Sequence, residues 1–248
     1  MTSEPPFSSS ALDASIDHTL ALEYWSAIPS DLNGMLGGYP QTSRVDLQGS
    51  ANFLTKLLRR GASTRSTTTS SKQTPLPPLN RVADCGAGIG RITKGLLLGV
   101  ARTVDVVEPV KKFTDELVSG LGSGHGQVSA VINLGLQDWT PEPYSYNLIW
   151  NQWCLGHLTD AQLVAYLRRS PTPNVPPPPP SYIIVKENLS TDPHQHNIYD
   201  AEDSSVTRSD AKFRALFAEA RLRLVATEVQ RGMPRELYPV RMYALRPE

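Results

Sequence analysis

The apolar residues of this chain recur with two different periodicities. In the first quarter they recur every three or four positions, as in Leu20, Tyr24 and Ile28, which is the spacing of one helix face. This spacing predicts a helix over 12–28 and a second helix over 44–60. Later in the chain, short apolar runs alternate with segments of helical spacing. Such alternation is typical of a doubly wound α/β sheet.

Seven apolar runs predict the strands of that sheet. They are Arg81–Cys85, Val104–Glu108, Val128–Asn133, Tyr146–Asn151, Tyr182–Glu187, Leu222–Gln230 and Val240–Leu245. Further helices are predicted at Gly90–Val100, Val110–Leu121, Thr159–Arg169 and Ser209–Ala220. Because ligands bind at the carboxyl ends of parallel strands, the residues that follow each strand are the candidate site.

Three segments of low complexity divide the chain. Residues 1–11 are rich in Ser and Pro and predict a disordered tail, while residues 61–79 predict a flexible Ser/Thr/Pro insertion. Residues 171–180 contain a polyproline run, which predicts a stiff, extended loop. Between them lie an N-terminal helical cover over 12–60 and an α/β domain over 80–248.

Composition narrows the classes of partner. The 24 basic and 24 acidic side chains cancel, so no net charge favours nucleic acid or a membrane surface. No window approaches 18 consecutive apolar residues, and the first residues lack the pattern of a signal peptide. We therefore expect a protein of the cytoplasm, or also of the nucleus, that binds neither nucleic acid, membrane nor metal.

A glycine-rich turn follows the first predicted strand. Gly86, Gly88 and Gly90 come directly after Asp84 and Cys85. Glycines let the backbone approach a ligand closely, and Glu108, after the second strand, can accept both hydroxyl protons of a ribose. The sequence therefore predicts a nucleotide site, with a tight turn that binds no ligand as the alternative.

The glycine spacing selects a class of nucleotide. A dinucleotide dehydrogenase requires G-x-G-x-x-G, and the third glycine position holds Arg91. The observed G-x-G-x-G, with an acid two residues ahead, is typical of S-adenosylmethionine-dependent methyltransferases.

Polar residues follow the other predicted strands. Gln137 and Asp138 follow the third strand. Their side chains can either hydrogen-bond the edge of an adenine or cap the loop in which they lie. His157 follows the fourth strand. It lies either where a methyl acceptor would enter the site, or at the N-terminus of the next helix as a structural partner of that helix. The acidic segment 199–208 either faces the ligand cleft or is a solvated segment that caps the next helix.

Six motifs together carry a resemblance to a known family. They are Gly34–Tyr39, Asp84–Lys94, Gly135–Asp138, Ile149–Asp160, Lys186–Asn188 and Asp203–Arg208. In this order they resemble the eukaryotic protein α-N-terminal methyltransferases, from about Tyr24 to Leu245 apart from the two insertions.

The resemblance implies a fold and an activity. The fold is a Rossmann-like class I methyltransferase sheet of seven strands, mostly parallel with the last antiparallel, with an N-terminal helical extension. The activity is methyl transfer from S-adenosyl-L-methionine, which leaves S-adenosyl-L-homocysteine, to the α-amino group of proteins that begin X-Pro-Lys after Met removal. Ribosomal proteins would be among the partners.

The resemblance also implies roles for individual residues. Cofactor binding would involve Gly86, Arg91, Glu108, Leu136, Gln137, Gln152 and Trp25, with Arg91 at the methionine carboxylate. Substrate binding would involve Leu36, Gly37, Trp153, Asn188, Asp200, Asp203 and Tyr238. The catalytic residues would be Asp203, His157 and Asn188, without a metal.

Two other functions remain open for the same sequence. One is methylation of a small molecule, which would require a closed acceptor pocket. The other is a binding scaffold that has lost turnover. The chain departs from the family at Pro193–Ile198, which lies between Asn188 and Asp200 and so bears on the pocket for the substrate lysine.

Overall fold

The computed structural model describes residues 12–63, 76–121, 127–143, 145–170 and 181–248. Its helices are α1 (His18–Ala27), α2 (Leu32–Met35), α3 (Thr42–Ser63), α4 (Arg91–Gly95), α5 (Lys111–Ser119), α6 (Asp160–Arg169) and α7 (Asp210–Glu219). Its strands are β1 (Leu79–Cys85), β2 (Ala101–Val107), β3 (Gln127–Ile132), β4 (Leu148–Gln152), β5 (Tyr182–Asn188), β6 (Ile198–Asp200), β7 (Ser205–Thr207), β8 (Leu222–Val229) and β9 (Val240–Pro247). Among the helices described, none is both long and apolar enough to span a bilayer.

Seven of these strands form one sheet in the order β3-β2-β1-β4-β5-β9-β8. Neighbouring strands from β3 to β5 run parallel, and β9 runs antiparallel to both β5 and β8. The predicted fold class, a mostly parallel seven-strand sheet with an antiparallel last strand, is confirmed.

The central strands are buried on both faces. In β4, Ile149 packs into a core with Phe213 of α7, and the next residue, Trp150, packs into a second core with Leu54 of α3. Successive side chains of a strand point to opposite faces, so both positions must be apolar. This double burial explains why the strands appear as continuous apolar runs in the sequence.

Several predicted boundaries were wrong. The helix predicted over Gly90–Val100 is α4 followed by a 3₁₀ turn at Leu97–Gly99. The helix predicted over 12–28 begins only at α1, because the Asp17 side chain accepts the backbone N–H groups of Thr19 and Leu20 and caps it there. Helix α3 extends to Ser63 and β1 begins at Leu79, so both enter the predicted insertion 61–79.

Other predicted segments lie wholly or partly outside the described residues. These are the tail 1–11, residues 64–75 of the insertion and the polyproline segment 171–180.

The acidic segment 199–208 forms a hairpin rather than a helix cap. Strands β6 and β7 pair antiparallel, with Asp200 opposite Ser205. The cap of α7 is Ser209, whose side chain accepts the N–H of Lys212. The turn between the two strands, residues 201–204, therefore carries Glu202 and Asp203.

Replacing Gly90 by Ala tests the backbone requirement of the glycine-rich turn. Gly90 has φ +78°, and an added Cβ would lie 2.5 Å from Leu117 Cγ. We expect Gly90→Ala to lower the free energy of unfolding in urea by about 2 kcal/mol or more, through left-handed strain and overpacking. Gly99→Ala is the matched control, because nothing lies within 4 Å of its added Cβ. Equal stability of the two variants would contradict this reading.

Candidate functional site

Two adjoining cavities open at the carboxyl edge of the sheet. The first cavity, of about 380 Å³, lies between the glycine-rich turn, the 133–138 loop and α1. The second cavity, of about 300 Å³, lies between the ends of β4 and β5, the Gly34–Tyr39 segment at the end of α2 and the β6–β7 hairpin. Four side chains line both: Trp25, Met35, Trp153 and His157. A ligand in one cavity is therefore adjacent to a ligand in the other.

The glycine-rich turn forms one wall of the first cavity. Gly86 has φ +65°, and a Cβ there would lie 2.4 Å from the Cβ of Cys154. Glu108 is held at the same wall: its carboxylate accepts the N–H groups of Gly88 and Val110, each at 2.9 Å. Burial raises the pKa of Glu108, and these two hydrogen bonds oppose the rise.

Arg91 and Gln152 are held on the wall of the first cavity by a residue that the sequence interpretation missed. Asp46 of α3 is fully buried and accepts hydrogen bonds from Arg91 Nη1 at 2.6 Å and from Gln152 Nε2 at 3.0 Å. A signal for it exists in the sequence. Asp46 and Ser50 continue, at helical spacing, the buried stripe of Phe53, Leu54 and Leu57, where polar residues need partners.

A strained turn after β4 aims Trp153 at the junction of the cavities. Trp153 has φ +54°, a left-handed conformation that costs a residue with a side chain about 1–3 kcal/mol. The turn is fixed by Glu187, whose Oε1 accepts the N–H groups of Cys154 and Leu155, both at 2.9 Å. Burial raises the pKa of Glu187 to about 7.

His157 lies at the same junction. Its Nε2 accepts a hydrogen bond from the indole N–H of Trp25 at 3.1 Å, and the two rings meet edge to face. Burial lowers the pKa of His157, while the nearby Asp203 carboxylate opposes that change. His157 does not cap α6, because Thr159 and Gln162 form a capping box there.

Three buried polar atoms around the second cavity form no hydrogen bond of ordinary geometry within the described part of the chain. They are Nε1 of Trp153, Nδ1 of His157 and Oδ1 of Asp203. Nδ1 of His157 still interacts with the backbone of Ser204. Buried polar groups are nearly always paired, so Nε1 of Trp153 and Oδ1 of Asp203 are the two atoms that indicate a polar ligand.

The structure brings nearly all the predicted site residues together. Gly86, Arg91, Glu108, Leu136, Gln137 and Gln152 line the first cavity, and Trp25 lines both. Leu36, Gly37, Asn188, Asp203 and Tyr238 line the second, and Trp153 and His157 line both.

Asp200 is the exception, since it lines neither cavity and is exposed on β6. It nevertheless lies close enough to Tyr24 that its charge, with those of Glu202 and Asp203, adds to burial in raising the pKa of that phenol.

The family model for AdoMet-dependent proline di-methyltransferases matches residues 13–246. This chain belongs to that family. Membership of this family excludes a dinucleotide-dependent dehydrogenase, which Arg91 at the third glycine position already disfavoured. It agrees with the G-x-G-x-G turn that lines the first cavity.

Individual relatives are similar along almost the whole chain. Alpha N-terminal protein methyltransferase 1 of Schizosaccharomyces pombe is 42% identical over 232 residues, which cover 92% of this chain and 94% of the relative. N-terminal Xaa-Pro-Lys N-methyltransferase 1 of Homo sapiens is 40% identical, covering 92% and 95%. A solved SAM-dependent methyltransferase of Leishmania major superposes with a TM-score of 0.76 at 36% identity, covering 91% of this chain and 81% of that one.

The pH dependence of cofactor affinity tests the electrostatics of the first cavity. Asp84 lines it, and burial raises the pKa of this carboxyl to about 7. S-adenosylmethionine carries a sulfonium charge that S-adenosylhomocysteine lacks, so ionised Asp84 favours the former. We expect the ratio of their affinities to rise with pH between 6 and 8, by up to about tenfold for a shift of one pKa unit.

Calorimetry of both ligands at several pH values measures this ratio, and Asp84→Asn is the control that should make it independent of pH. A ratio that stays constant with pH in the unaltered protein would contradict the expectation.

Proposed function

We propose that this protein transfers a methyl group from S-adenosylmethionine to the α-amino group of proteins that begin X-Pro-Lys. The single observation that carries the proposal is the junction of the two cavities at Trp153 and His157, beside which Trp153 Nε1 and Asp203 Oδ1 have no hydrogen-bond partner among the described residues. The names of the relatives support the same substrate class.

The first cavity fits the cofactor, which supplies a methyl group carried on a sulfonium. Glu108 would accept the ribose hydroxyl protons, because its carboxylate is already oriented by two backbone N–H groups. Arg91 would pair with the methionine carboxylate as a charge-assisted contact. Gln152 would bind beside Arg91, and Gly86, Leu136 and Gln137 would complete the wall, with Trp25 above them.

The second cavity would hold the start of the substrate chain. Proline has no backbone N–H and a fixed φ, so the ring of Trp153 can select it by packing. Asn188 would hydrogen-bond the substrate backbone, and Leu36, Gly37 and Tyr238 would form the remaining walls. A lysine at the third position would be attracted to Asp200 and Asp203.

Asp203 is the residue best placed to take a proton from the substrate. An α-amino group has a pKa near 7.7–8.0, so it must be deprotonated before it can attack the methyl group. His157 accepts a hydrogen bond at Nε2, so its neutral ring carries its proton on Nδ1, which is directed at the backbone of Ser204. Asp203 Oδ1 is an unpaired acceptor. We therefore assign proton acceptance to Asp203 and orientation to His157.

We also propose that residues 12–60 act as a cover that completes both cavities. The cover contributes Trp25, Met35, Leu36 and Gly37 to the walls. Its connection after α1 is held by Lys112 Nζ, which donates to the carbonyl of Ile28.

The location and cellular partners are part of the same proposal. We propose as substrates newly made proteins whose X-Pro-Lys termini are exposed by removal of the initiator Met, with ribosomal proteins among them. An enzyme for these termini belongs in the cytoplasm, or in the nucleus where ribosomal proteins also travel.

Peptide methylation tests the proposed activity. We expect the protein with S-adenosylmethionine to methylate the α-amine of a Ser-Pro-Lys peptide, and the acetylated peptide to stay unmodified. A Ser-Pro-Gln peptide should react with a higher KM, because the acidic hairpin attracts the lysine. Fragment mass spectrometry locates the methyl group, and methylation of the lysine side chain with an untouched α-amine would overturn the proposal.

Replacing Asp203 tests the proton acceptor. We expect Asp203→Asn to lower kcat by about 10²–10⁴-fold, the usual contribution of a positioned base. Asp192→Asn is the matched control, since Asp192 lies in the connection between β5 and β6 and lines neither cavity. Near-normal turnover of the Asp203 variant would remove it from catalysis.

A further inference from the structure

We propose that Asp46 is the positioning residue for the methionine end of the cofactor, acting through Arg91 and Gln152. The inference rests on the proposed function, in which those two residues bind the cofactor. Asp46 itself lines neither cavity, so it acts only through its partners.

The contacts of Asp46 leave Arg91 and Gln152 little freedom. Asp46 Oδ2 lies 2.6 Å from Arg91 Nη1, and both of its oxygens lie 3.0 Å from Gln152 Nε2. The indole N–H of Trp150 donates to Gln152 Oε1 at 3.1 Å, which fixes the amide from its other side. Within the described residues, Asp46 is the one hydrogen-bond partner of the Arg91 guanidinium, so it is a main determinant of where that group is held.

Asp46 is in turn anchored by Lys186. Lys186 Nζ lies 2.5 Å from Asp46 Oδ1 and donates to Ser50 Oγ and Gln230 Oε1, both at 2.9 Å. Both Asp46 and Lys186 are fully buried. Lys186 does not line the first cavity, and these hydrogen bonds all go to protein atoms. Its role is therefore to orient Asp46.

The charges of the cluster suit an incoming carboxylate. Burial alone would raise the pKa of Asp46, but the charges of Lys186 and Arg91 outweigh it and lower that pKa. Within the cluster one carboxylate then faces two cations. Arg91 carries the remaining positive charge to the first cavity, where the buried Asp84 carboxyl also interacts with it. A second carboxylate, that of the methionine group, would balance it.

The same arrangement reaches the second cavity. The guanidinium carbon of Arg91 lies 5.3 Å from the ring centroid of Trp153, within range of a cation–π interaction. Asp46 therefore also supports one face of the aromatic side chain that lines both cavities.

Binding of two cofactor analogues tests the inference without reference to activity. S-adenosylhomocysteine carries the amino acid group, and 5′-methylthioadenosine lacks it. We expect Asp46→Asn to weaken S-adenosylhomocysteine about tenfold by calorimetry, because Arg91 loses its preorganisation, and to leave 5′-methylthioadenosine within about twofold. Unchanged or tighter binding of S-adenosylhomocysteine, or an equal loss for both ligands, would overturn the inference.

Two further variants separate the possible failures. Arg91→Gln should lose affinity for S-adenosylhomocysteine selectively, and if it does not, the proposed cofactor contact itself is wrong. Asp105→Asn is the control for loss of a buried acid, since Asp105 pairs with Arg81 at 2.7 Å away from both cavities, and we expect both affinities to be unchanged.

Should Asp46→Asn not fold, Asp46→Glu keeps the charge and displaces the carboxylate by one methylene. It should show the same selective loss, and wild-type affinity for both ligands would overturn the inference.

Discussion

The ion pairs of Asp46 join the helical cover to the sheet, and the geometry of both cavities depends on that connection. Asp46 belongs to α3, Arg91 to α4 and Lys186 to β5, so one carboxylate links three elements that are distant in sequence. Burying such charges is costly, but removing one partner of a buried pair typically costs about 3–5 kcal/mol. These pairs tie α3 to α4 and to β5, and we infer that they hold the proposed cover where its side chains line both cavities.

The site is a product of this assembly more than of any one motif. The glycine-rich turn can hold a cofactor, but it does not define an acceptor. The acceptor cavity needs the strained Trp153 turn, the Gly34–Tyr39 segment of the cover and the β6–β7 hairpin together. The hydrogen bond from Trp25 to His157 then joins residues 12–60 to the junction and determines which ring nitrogen of His157 carries the proton.

The sequence predicted those features whose cause is local. Strands buried on both faces appear as apolar runs, and the Asp84–Arg91 turn predicted the first cavity because its glycines are required by backbone geometry. The hairpin was missed because its acids and serines fit a helix cap equally well. Asp46 was missed although its place on the buried stripe of α3 marks it as needing a partner, because Arg91 and Lys186 are separated from it by long stretches of chain. The tautomer of His157 likewise depends on Trp25, which no spacing connects to it.

A crystal structure with S-adenosylhomocysteine and a Ser-Pro-Lys peptide would test the central claim most directly. The claim is that the acceptor amine lies where the two cavities meet. It predicts that the α-amino nitrogen lies within hydrogen-bond distance of Asp203 Oδ1 and that the proline ring packs against Trp153. The sulfur of the cofactor should lie on the side of that nitrogen opposite Asp203. A structure with the lysine side chain at the junction, or with the peptide outside the second cavity, would contradict it.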